Sequence, residues 1–440
     1  MDNRSGIQRK KLAGLVGVSL LTGLLSTLLA FLLKHATEEA ETYVFTHLSS
    51  ASYWFIFIPS VGMTVIYFTR KYLFRGKQNK GIKEIYSTIK ERKEELPFYK
   101  VPSHFINGFI TVISGGSTGV EVSTVVSTAA IGATAHRKTA IARRYKTELI
   151  AAGVAAGVAT LFNSPLAGIL FAVEVIARRS HKSILLACIV AVIPSIVAAH
   201  FLPHAYLFNI PVTTWNPAAT PAILVICVLS ALMAVYFTRV MVLIKTKYAK
   251  ITNNFMRVNI AAFLVGISIF LLPQLFGDSY HAVNSMLHQG APAFSVKLLA
   301  LLFCFALIKP LIASLTIGAG GDGGVFAPSI IVGATIGVFV ALICNHYFHA
   351  NFSFINFMIF GVAAALSAAI HAPLTALFLA CNLVPGGFTL FLPVLAVAMV
   401  SRYISHYFCE YTVYSYEDPS KEMYPHLRLM KLYRKTRQQH

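Results

Sequence analysis

The chain has 440 residues, of which 56% are hydrophobic and only 12% charged, and its formal net charge at pH 7 is +20. A soluble protein carries about 25% charged residues, so the composition indicates an all-α polytopic membrane protein with the lipid bilayer as its solvent. The basic residues stand in short runs between apolar segments, as in cytoplasmic loops under the positive-inside rule. This placement argues against a nucleic-acid partner and predicts a multi-pass protein of the cell (plasma) membrane with both termini in the cytoplasm.

The apolar segments fall into two length classes. A membrane-spanning helix needs about 20 residues, and the segments 12–33, 219–241 and 297–317 are long enough. Shorter segments have to be tilted, partial or re-entrant, and such backbone survives in a bilayer only where protein buries it or a polar cavity hydrates it. They therefore indicate a transporter or channel with its site near the midplane. In chain order, the short segments are 105–114, 122–136, 147–161, 165–177, 353–369, 373–383 and 387–400.

An internal repeat supports this class. GGSTGVEVSTVVSTAAIG (115–132) aligns with GGDGGVFAPSIIVGATIG (320–337), with seven of eighteen positions identical, and NSPLAGILFAVEV (163–175) aligns with HAPLTALFLACNL (371–383) at nearly the same offset. The alignment predicts two related halves, about 10–205 and 215–410, and an inverted arrangement is expected because it is common in transporters. The halves make up one membrane domain, residues 1–416, and residues 417–440 form a short basic cytoplasmic tail.

Each half places a glycine cluster directly before an apolar helix. Gly119 precedes 122–136, and Gly324 precedes 326–346. Glycine lets the backbone approach a ligand closely, and a helix N-terminus offers unpaired N–H groups and about half a positive charge. Two such ends that meet at the midplane would bind an anion without a basic side chain. The alternative is that these glycines only allow close helix packing.

Glu121 lies at one of these two helix ends. It is one of only five acidic residues between residues 96 and 409, and ionisable residues inside a membrane are usually functional. A carboxylate at a helix N-terminus can occupy an anion site, and a free anion can replace it when it moves away or takes a proton. The sequence therefore predicts a gate at Glu121. The alternative is a buried glutamate that is satisfied by hydrogen bonds and has no transport role.

These motifs resemble the CLC family of chloride channels and proton-coupled chloride transporters. GVEVS (119–123) is similar to the GxEGP motif, whose glutamate is the gating glutamate, and GVFAP (324–328) is similar to GxFxP. FNSPLAGILFAVE (162–174) and HAPLTALF (371–378) match family helices, and Tyr414 falls at the family's anion-contacting tyrosine. The resemblance extends from about residue 15 to 416 and is to prokaryote-like members without cytoplasmic regulatory domains.

The resemblance implies a CLC-type fold, a chloride ligand, no cofactor and no metal, and a homodimer with one pore per subunit. It implies anion contacts from the backbone amides of Val325 and Phe326 and from the hydroxyl of Tyr414. The wider set of anion-binding positions that it implies is Lys80, Gly81, Ile82, Gly119, Val120, Val122, Gly324, Val325, Phe326, Ala327 and Tyr414.

Three motifs depart from the family pattern. Val122 and Ser123 stand where GxEGP has glycine and proline, and NKGIK (79–83) stands where the family has GSGIP, which puts Lys80 in the place of the central serine. Lys80 would add a full charge to the anion site, or it belongs to a solvated basic loop. Val175 follows Glu174 where proton-coupled members carry a second glutamate, the internal proton acceptor.

The sequence as a whole predicts chloride permeation gated by Glu121, in a passive channel because Val175 carries no proton. The alternative is a proton-coupled chloride antiporter on the same fold, since family members without the internal glutamate can still couple. An intramembrane enzyme or sensor is not favoured, because the sequence has no HExxH, no GxSxG and no His/Asp cluster within its apolar segments.

Overall fold

The computed structural model describes residues 2–48, 53–77, 79–90, 96–139, 145–201, 206–288 and 294–416. The predicted basic tail, residues 417–440, lies outside this part of the chain. The described residues form sixteen α-helices and no strand, as the all-α prediction requires. The helices are α1 (Asp2–Leu48), α2 (Trp54–Phe68), α3 (Ile82–Lys90), α4 (Lys100–Ile113), α5 (Glu121–Lys138), α6 (Lys146–Leu161), α7 (Pro165–Phe171), α8 (Lys182–Phe201), α9 (Thr220–Ala249), α10 (Asn254–Leu271), α11 (Tyr280–His288), α12 (Val296–Ala319), α13 (Phe326–Tyr347), α14 (Phe354–Ile370), α15 (Pro373–Asn382) and α16 (Phe391–Phe408).

Seven helical segments among the described residues are long and apolar enough to cross a membrane. The three long spans expected from the sequence are confirmed. The expectation of a short segment at 387–400 is wrong, because the helix continues through Arg402 and His406 and the segment Gly387–Phe408 has 22 residues. The seven segments are Leu12–His47, Lys182–Phe201, Pro217–Ala249, Asn254–Leu271, Val296–Ala319, Phe326–Tyr347 and Gly387–Phe408.

Short helices surround the buried centre, as the sequence predicts. Pro165–Ala177, Phe354–Ile370 and Pro373–Asn382 are apolar and too short to qualify as full spans. Every residue of α14 after Phe354 is buried, and so are nearly all residues in the most apolar part of α13. The backbone polar groups of these partial helices are therefore enclosed by protein, the condition under which broken helices are stable in a bilayer.

Glycine allows the central helices to pack closely at two matching places. A Cβ atom on Gly132 would overlap the backbone carbonyl of Leu149 in α6, and a Cβ on Gly337 would overlap that of Phe357 in α14. Gly132 and Gly337 are partners in the sequence repeat. The close packing that was the alternative explanation of the glycine motifs is thus present further along both helices, and it also occurs at the start of α13, where a Cβ atom on Gly324 would overlap Val122.

Candidate anion pathway

The starts of α5 and α13 lie side by side. The Thr118 hydroxyl donates to the carbonyl of Gly324 and accepts from the Gly324 N–H, each at 2.9 Å. The N-cap residues, Val120 of α5 and Val325 of α13, provide no side-chain cap for the first turns. Both N-termini therefore direct the positive ends of their helix dipoles into one buried region.

Tyr414 lies against the start of α13. The N–H of Val325 donates to the Tyr414 hydroxyl at 3.4 Å, and the rings of Tyr414 and Phe326 are 6.4 Å apart between centroids. All three residues are buried, as is Ala327 in the first turn of α13. A backbone N–H and a phenol hydroxyl thus meet where two helix dipoles point, which is a suitable environment for a small anion.

A cavity of about 110 Å³ lies beside Tyr414. The Lys80 backbone N–H donates to the Glu84 carboxylate, while the Lys80 side chain is exposed. Lys80 thus lines this cavity from its open side, and the geometry is compatible both with an anion contact and with a solvated loop. The predicted site residues on the cavity wall are Lys80, Gly81, Ile82, Val122, Gly324, Val325 and Tyr414, and Lys83 and Lys245 line it as well.

Glu121 lines a second, larger cavity of about 400 Å³. Its side chain is only 5% exposed, and its Oε1 accepts a hydrogen bond from the Tyr280 hydroxyl at 3.2 Å. Its Oε2 has no hydrogen-bond partner among the described residues. The carboxylate folds back over Gly119, where a Cβ atom would overlap it. Gly119 is therefore the residue that allows the carboxylate to lie at the start of its own helix.

Val122 lines the 110 Å³ cavity and not the 400 Å³ one. Its side chain is buried and packs so closely on Gly324 that a Cβ atom there would overlap it, while a Cβ on Gly81 would lie 3.6 Å from Val122 Cγ1. The isopropyl group thus fills the space between three segments predicted to contact the anion. A glycine, the residue of the family motif, would leave that space open.

The Glu174–Val175 pair has a structural explanation. The Glu174 carboxylate accepts from the backbone N–H groups of Leu374 and Thr375, at 3.3 and 2.8 Å, and from the Thr375 hydroxyl at 2.7 Å. It therefore caps the N-terminus of α15. Val175 is buried and apolar, so this position offers no group that exchanges a proton.

Asp322 stands four residues before Phe326, the first residue of α13, but its carboxylate does not cap that helix. Its carboxylate instead accepts from the Asn79 amide at 2.7 Å and lies 2.9 Å from His104 Nδ1. Burial by itself would raise the pKa of Asp322, but His104, Arg70 and Asn79 together hold it below its ordinary value. Asp322 thus ties the loop that carries Lys80 to the loop that starts α13.

Several buried polar residues near Glu121 were missed by sequence reasoning. Lys309 is fully buried and donates to the Gly277 carbonyl at 3.0 Å and the Ser279 hydroxyl at 2.6 Å. Glu41 accepts from the N–H of Asp278 at 3.1 Å. The only signal of this region in the sequence is local: Asp278-Ser279-Tyr280 is a pattern typical of a helix start. The contact of Tyr280 with Glu121 joins residues 159 positions apart and has no local pattern.

Glu41, Asp278 and the neighbouring His281 form a group that could also hold a cation. Ligand atoms of Glu41, Asp278 and His281 lie within 4.8 Å of one another, although the sequence gave no sign of a metal set. The ammonium group of Lys309 bonds to the residues on either side of Asp278. Its positive charge opposes a divalent ion at this place.

The fold and the pathway together define an α-helical membrane protein of anion transport. The chain belongs to the CLC family: the family model described as "Voltage gated chloride channel" matches residues 61–406. Members of this family are transporters or channels, so the chain is classed with transport proteins and not with enzymes.

Two curated relatives have similar sequences. The chain is 26% identical to the voltage-gated ClC-type chloride channel ClcB of Salmonella typhi. The alignment of 314 residues covers 68% of this chain and 72% of the relative. It is also 26% identical to the H(+)/Cl(-) exchange transporter ClcA of Yersinia pestis bv. Antiqua (strain Angola). That alignment of 353 residues covers 76% of this chain and 71% of the relative.

Solved structures share the fold. A CLC-type fluoride/proton antiporter superposes with a TM-score of 0.76 at 22% identity, covering 92% of this chain and 97% of that one. A slow cyanobacterial Cl-/H+ antiporter superposes with a TM-score of 0.75 at 21% identity, covering 91% and 96%. At this level of identity the likeness establishes the CLC-type fold.

Proposed function

We propose that the protein exchanges chloride, or a similar small anion, for protons, with Glu121 as the gate. The observation that carries the proposal is the position of the Glu121 carboxylate, which is buried at the N-terminus of α5 with Oε2 unpartnered among the described residues. A carboxylate there competes with an anion for the same helix dipole. Protonation removes that competition, so one group can link anion movement to proton movement.

Exchange is preferred to the passive channel that the sequence predicts. The Yersinia relative is named as an H(+)/Cl(-) exchanger, and both solved structures described above are antiporters. The absence of a carboxylate at Val175 removes one proton group but leaves Glu121, whose carboxylate is buried at the helix end. The channel stays the second candidate because Val175 is buried and apolar and the Salmonella relative is named as a channel.

The site residues follow from the same proposal. The amides of Val325 and Phe326 and the Tyr414 hydroxyl form the central anion site, while Gly119, Val120, Val122, Gly324 and Ala327 shape the two helix ends around it. Lys80, Gly81 and Ile82 form its inner side. Lys80→Ser, which restores the usual family residue, should change the selectivity between chloride and nitrate more than Lys77→Ser does, because Lys77 does not line this cavity.

The deciding experiment records chloride and proton movement together in proteoliposomes at clamped voltage. Chloride efflux down its gradient should drive proton uptake against a proton gradient. The Glu121→Gln variant should carry chloride at a pH-independent rate without proton uptake, because an amide cannot release a proton. Chloride efflux without proton uptake in the unmodified protein would instead establish the passive channel, and a Glu121→Gln variant with unchanged rate and pH response would place the gate elsewhere.

We further propose a homodimer with one pore per subunit, in the plasma membrane with both termini in the cytoplasm. The basic residues Lys80, Lys83 and Lys245 around the 110 Å³ cavity support an orientation with this cavity on the inner, cytoplasmic side, since cytoplasmic loops are rich in Lys and Arg. Reporter fusions at each terminus test the orientation, and cross-linking in the membrane tests the dimer.

A further inference from the structure

The Glu121 carboxylate receives its side-chain hydrogen bond from one residue of the described chain, Tyr280. The phenol belongs to α11, whereas Glu121 starts α5, and the Tyr280 hydroxyl lies 3.2 Å from Glu121 Oε1. Both residues line the 400 Å³ cavity. A hydrogen bond from a hydroxyl to an ionised carboxylate is roughly twice as strong as a neutral one, so this contact favours the position in which the carboxylate blocks the helix end.

The loop that carries Tyr280 is fixed from two other helices. Lys309 of α12 donates to the Gly277 carbonyl and the Ser279 hydroxyl, and Glu41 of α1 accepts from the Asp278 N–H. Asp278 Oδ1 in turn accepts from the N–H of Tyr280 at 2.9 Å. Because Lys309 and Ser279 are fully buried and Glu41 nearly so, these bonds exchange little with water, and Tyr280 has a defined position.

We propose that Tyr280 is a positioning residue that latches the gating glutamate. The inference rests on the proposed role of Glu121. In the closed state the phenol holds the ionised carboxylate over Gly119. When the carboxylate takes a proton, the hydrogen bond loses its charge assistance and the side chain is free to leave the helix end, so the latch makes opening depend on protonation.

Other charged and titratable groups also act on Glu121. Those on the same cavity come from α1 and from the loop and start of α11, and Lys309 lies behind that loop, while Tyr414 lies on the other side of the two helix ends. A test of the latch therefore has to leave all of them in place. These groups are Lys34, Glu38, Glu41, Asp278, His281, Lys309 and Tyr414.

Tyr280→Phe removes one hydroxyl and keeps the ring and the charges. Loss of the bond destabilises the ionised carboxylate relative to the protonated one, so less acid is needed to open the gate. Chloride flux at neutral pH should rise, and the midpoint of its rise on acidification should move to higher pH by about one unit, the size of a charge-assisted hydrogen bond. The control is Tyr206→Phe, since Tyr206 is exposed on the wall of the same cavity, and it should change neither quantity.

A double variant separates the latch from a general disturbance. In Glu121→Gln, the further change Tyr280→Phe should have no effect on flux, because the latched carboxylate is already absent. 3-Fluorotyrosine at position 280 keeps the size and is a stronger donor, so it should move the midpoint to lower pH, and it serves if Tyr280→Phe does not fold. If Glu121→Gln changes flux and pH response while Tyr280→Phe behaves like Tyr206→Phe, the latch is refuted and the gate stands. If Glu121→Gln has no effect, the proposed gate itself is refuted.

Discussion

Val122 stands where the family motif has the glycine that follows the gating glutamate. The sequence identified the departure, a valine after the gating glutamate, but not its consequence. The consequence depends on Gly81 and Gly324, which meet Val122 only in the folded chain. A residue type can thus be compared with a motif from the sequence, whereas the volume that it fills depends on contacts from segments about 40 and 200 positions away.

Val122→Gly should increase anion flux. Removing the isopropyl group widens the 110 Å³ cavity between Gly81 and Gly324, where a dehydrated anion otherwise meets apolar carbon. We expect a several-fold faster chloride efflux from proteoliposomes. Loss of a buried valine side chain costs about 1 to 3 kcal/mol of stability, so thermal unfolding in detergent should be measured as well.

The control is Val126→Gly, one turn further along the same helix and equally buried. It carries the same packing and helix-propensity penalties without lining either cavity. Equal flux changes in both variants would mean that Val122 acts through packing alone.

At the scale of elements, sequence predicted the helix starts that matter. Apolar segments after Gly119 and Gly324 gave α5 and α13 to within two residues, because glycine clusters and long apolar runs are strong local signals. The contacts of the loops were harder to predict from the sequence. Asp322 stands just before α13, yet its carboxylate lies against Asn79 and His104, two partners that only the tertiary fold brings near it.

Asp322→Asn should destabilise the fold by about 3 kcal/mol, because it removes the buried, ionised acceptor that the Asn79 amide and the buried His104 ring lie against. The carboxyl has a lowered pKa in the folded chain. Its contribution to stability is therefore present above the unfolded pKa of about 3.9 and is lost as pH falls through the lower folded value. Thermal unfolding at pH 7 and below pH 4 measures this, and the difference between variant and unmodified protein should shrink at the acidic pH.

Glu39→Gln is the matched control, because its pair with His35 is 60 to 70% exposed and exposed pairs contribute at most about 1 kcal/mol. A loss of stability in Asp322→Asn no larger than in Glu39→Gln would show that the buried pair does not hold the two loops together.

For the whole molecule, the sequence sufficed to predict the class, the all-α fold and the family. Hydropathy and the positions of charged residues can be read from local stretches of the chain, and they do not depend on long-range contacts. The inverted relation of the two halves stays a prediction, supported by the matching glycine contacts of α5 and α13. The surroundings of the gate were beyond sequence reasoning because they join Glu41, Glu121, Asp278 and Lys309 from four separate helices and loops.

The last prediction concerns the charge of the ion that crosses. Two helix N-termini and the basic inner cavity lower the energy of an anion and raise that of a cation, so potassium should not pass. Liposomes loaded with KCl should then retain their chloride until valinomycin is added, because chloride leaving alone builds up a voltage that stops it. The same holds for a channel and for a proton exchanger in which chloride leaves as protons enter, since both movements make the inside more positive. Valinomycin should release chloride quickly from vesicles that contain the protein and not from empty ones. Rapid chloride loss without the ionophore would require potassium to cross through the protein, and the two helix ends would then not select for negative charge.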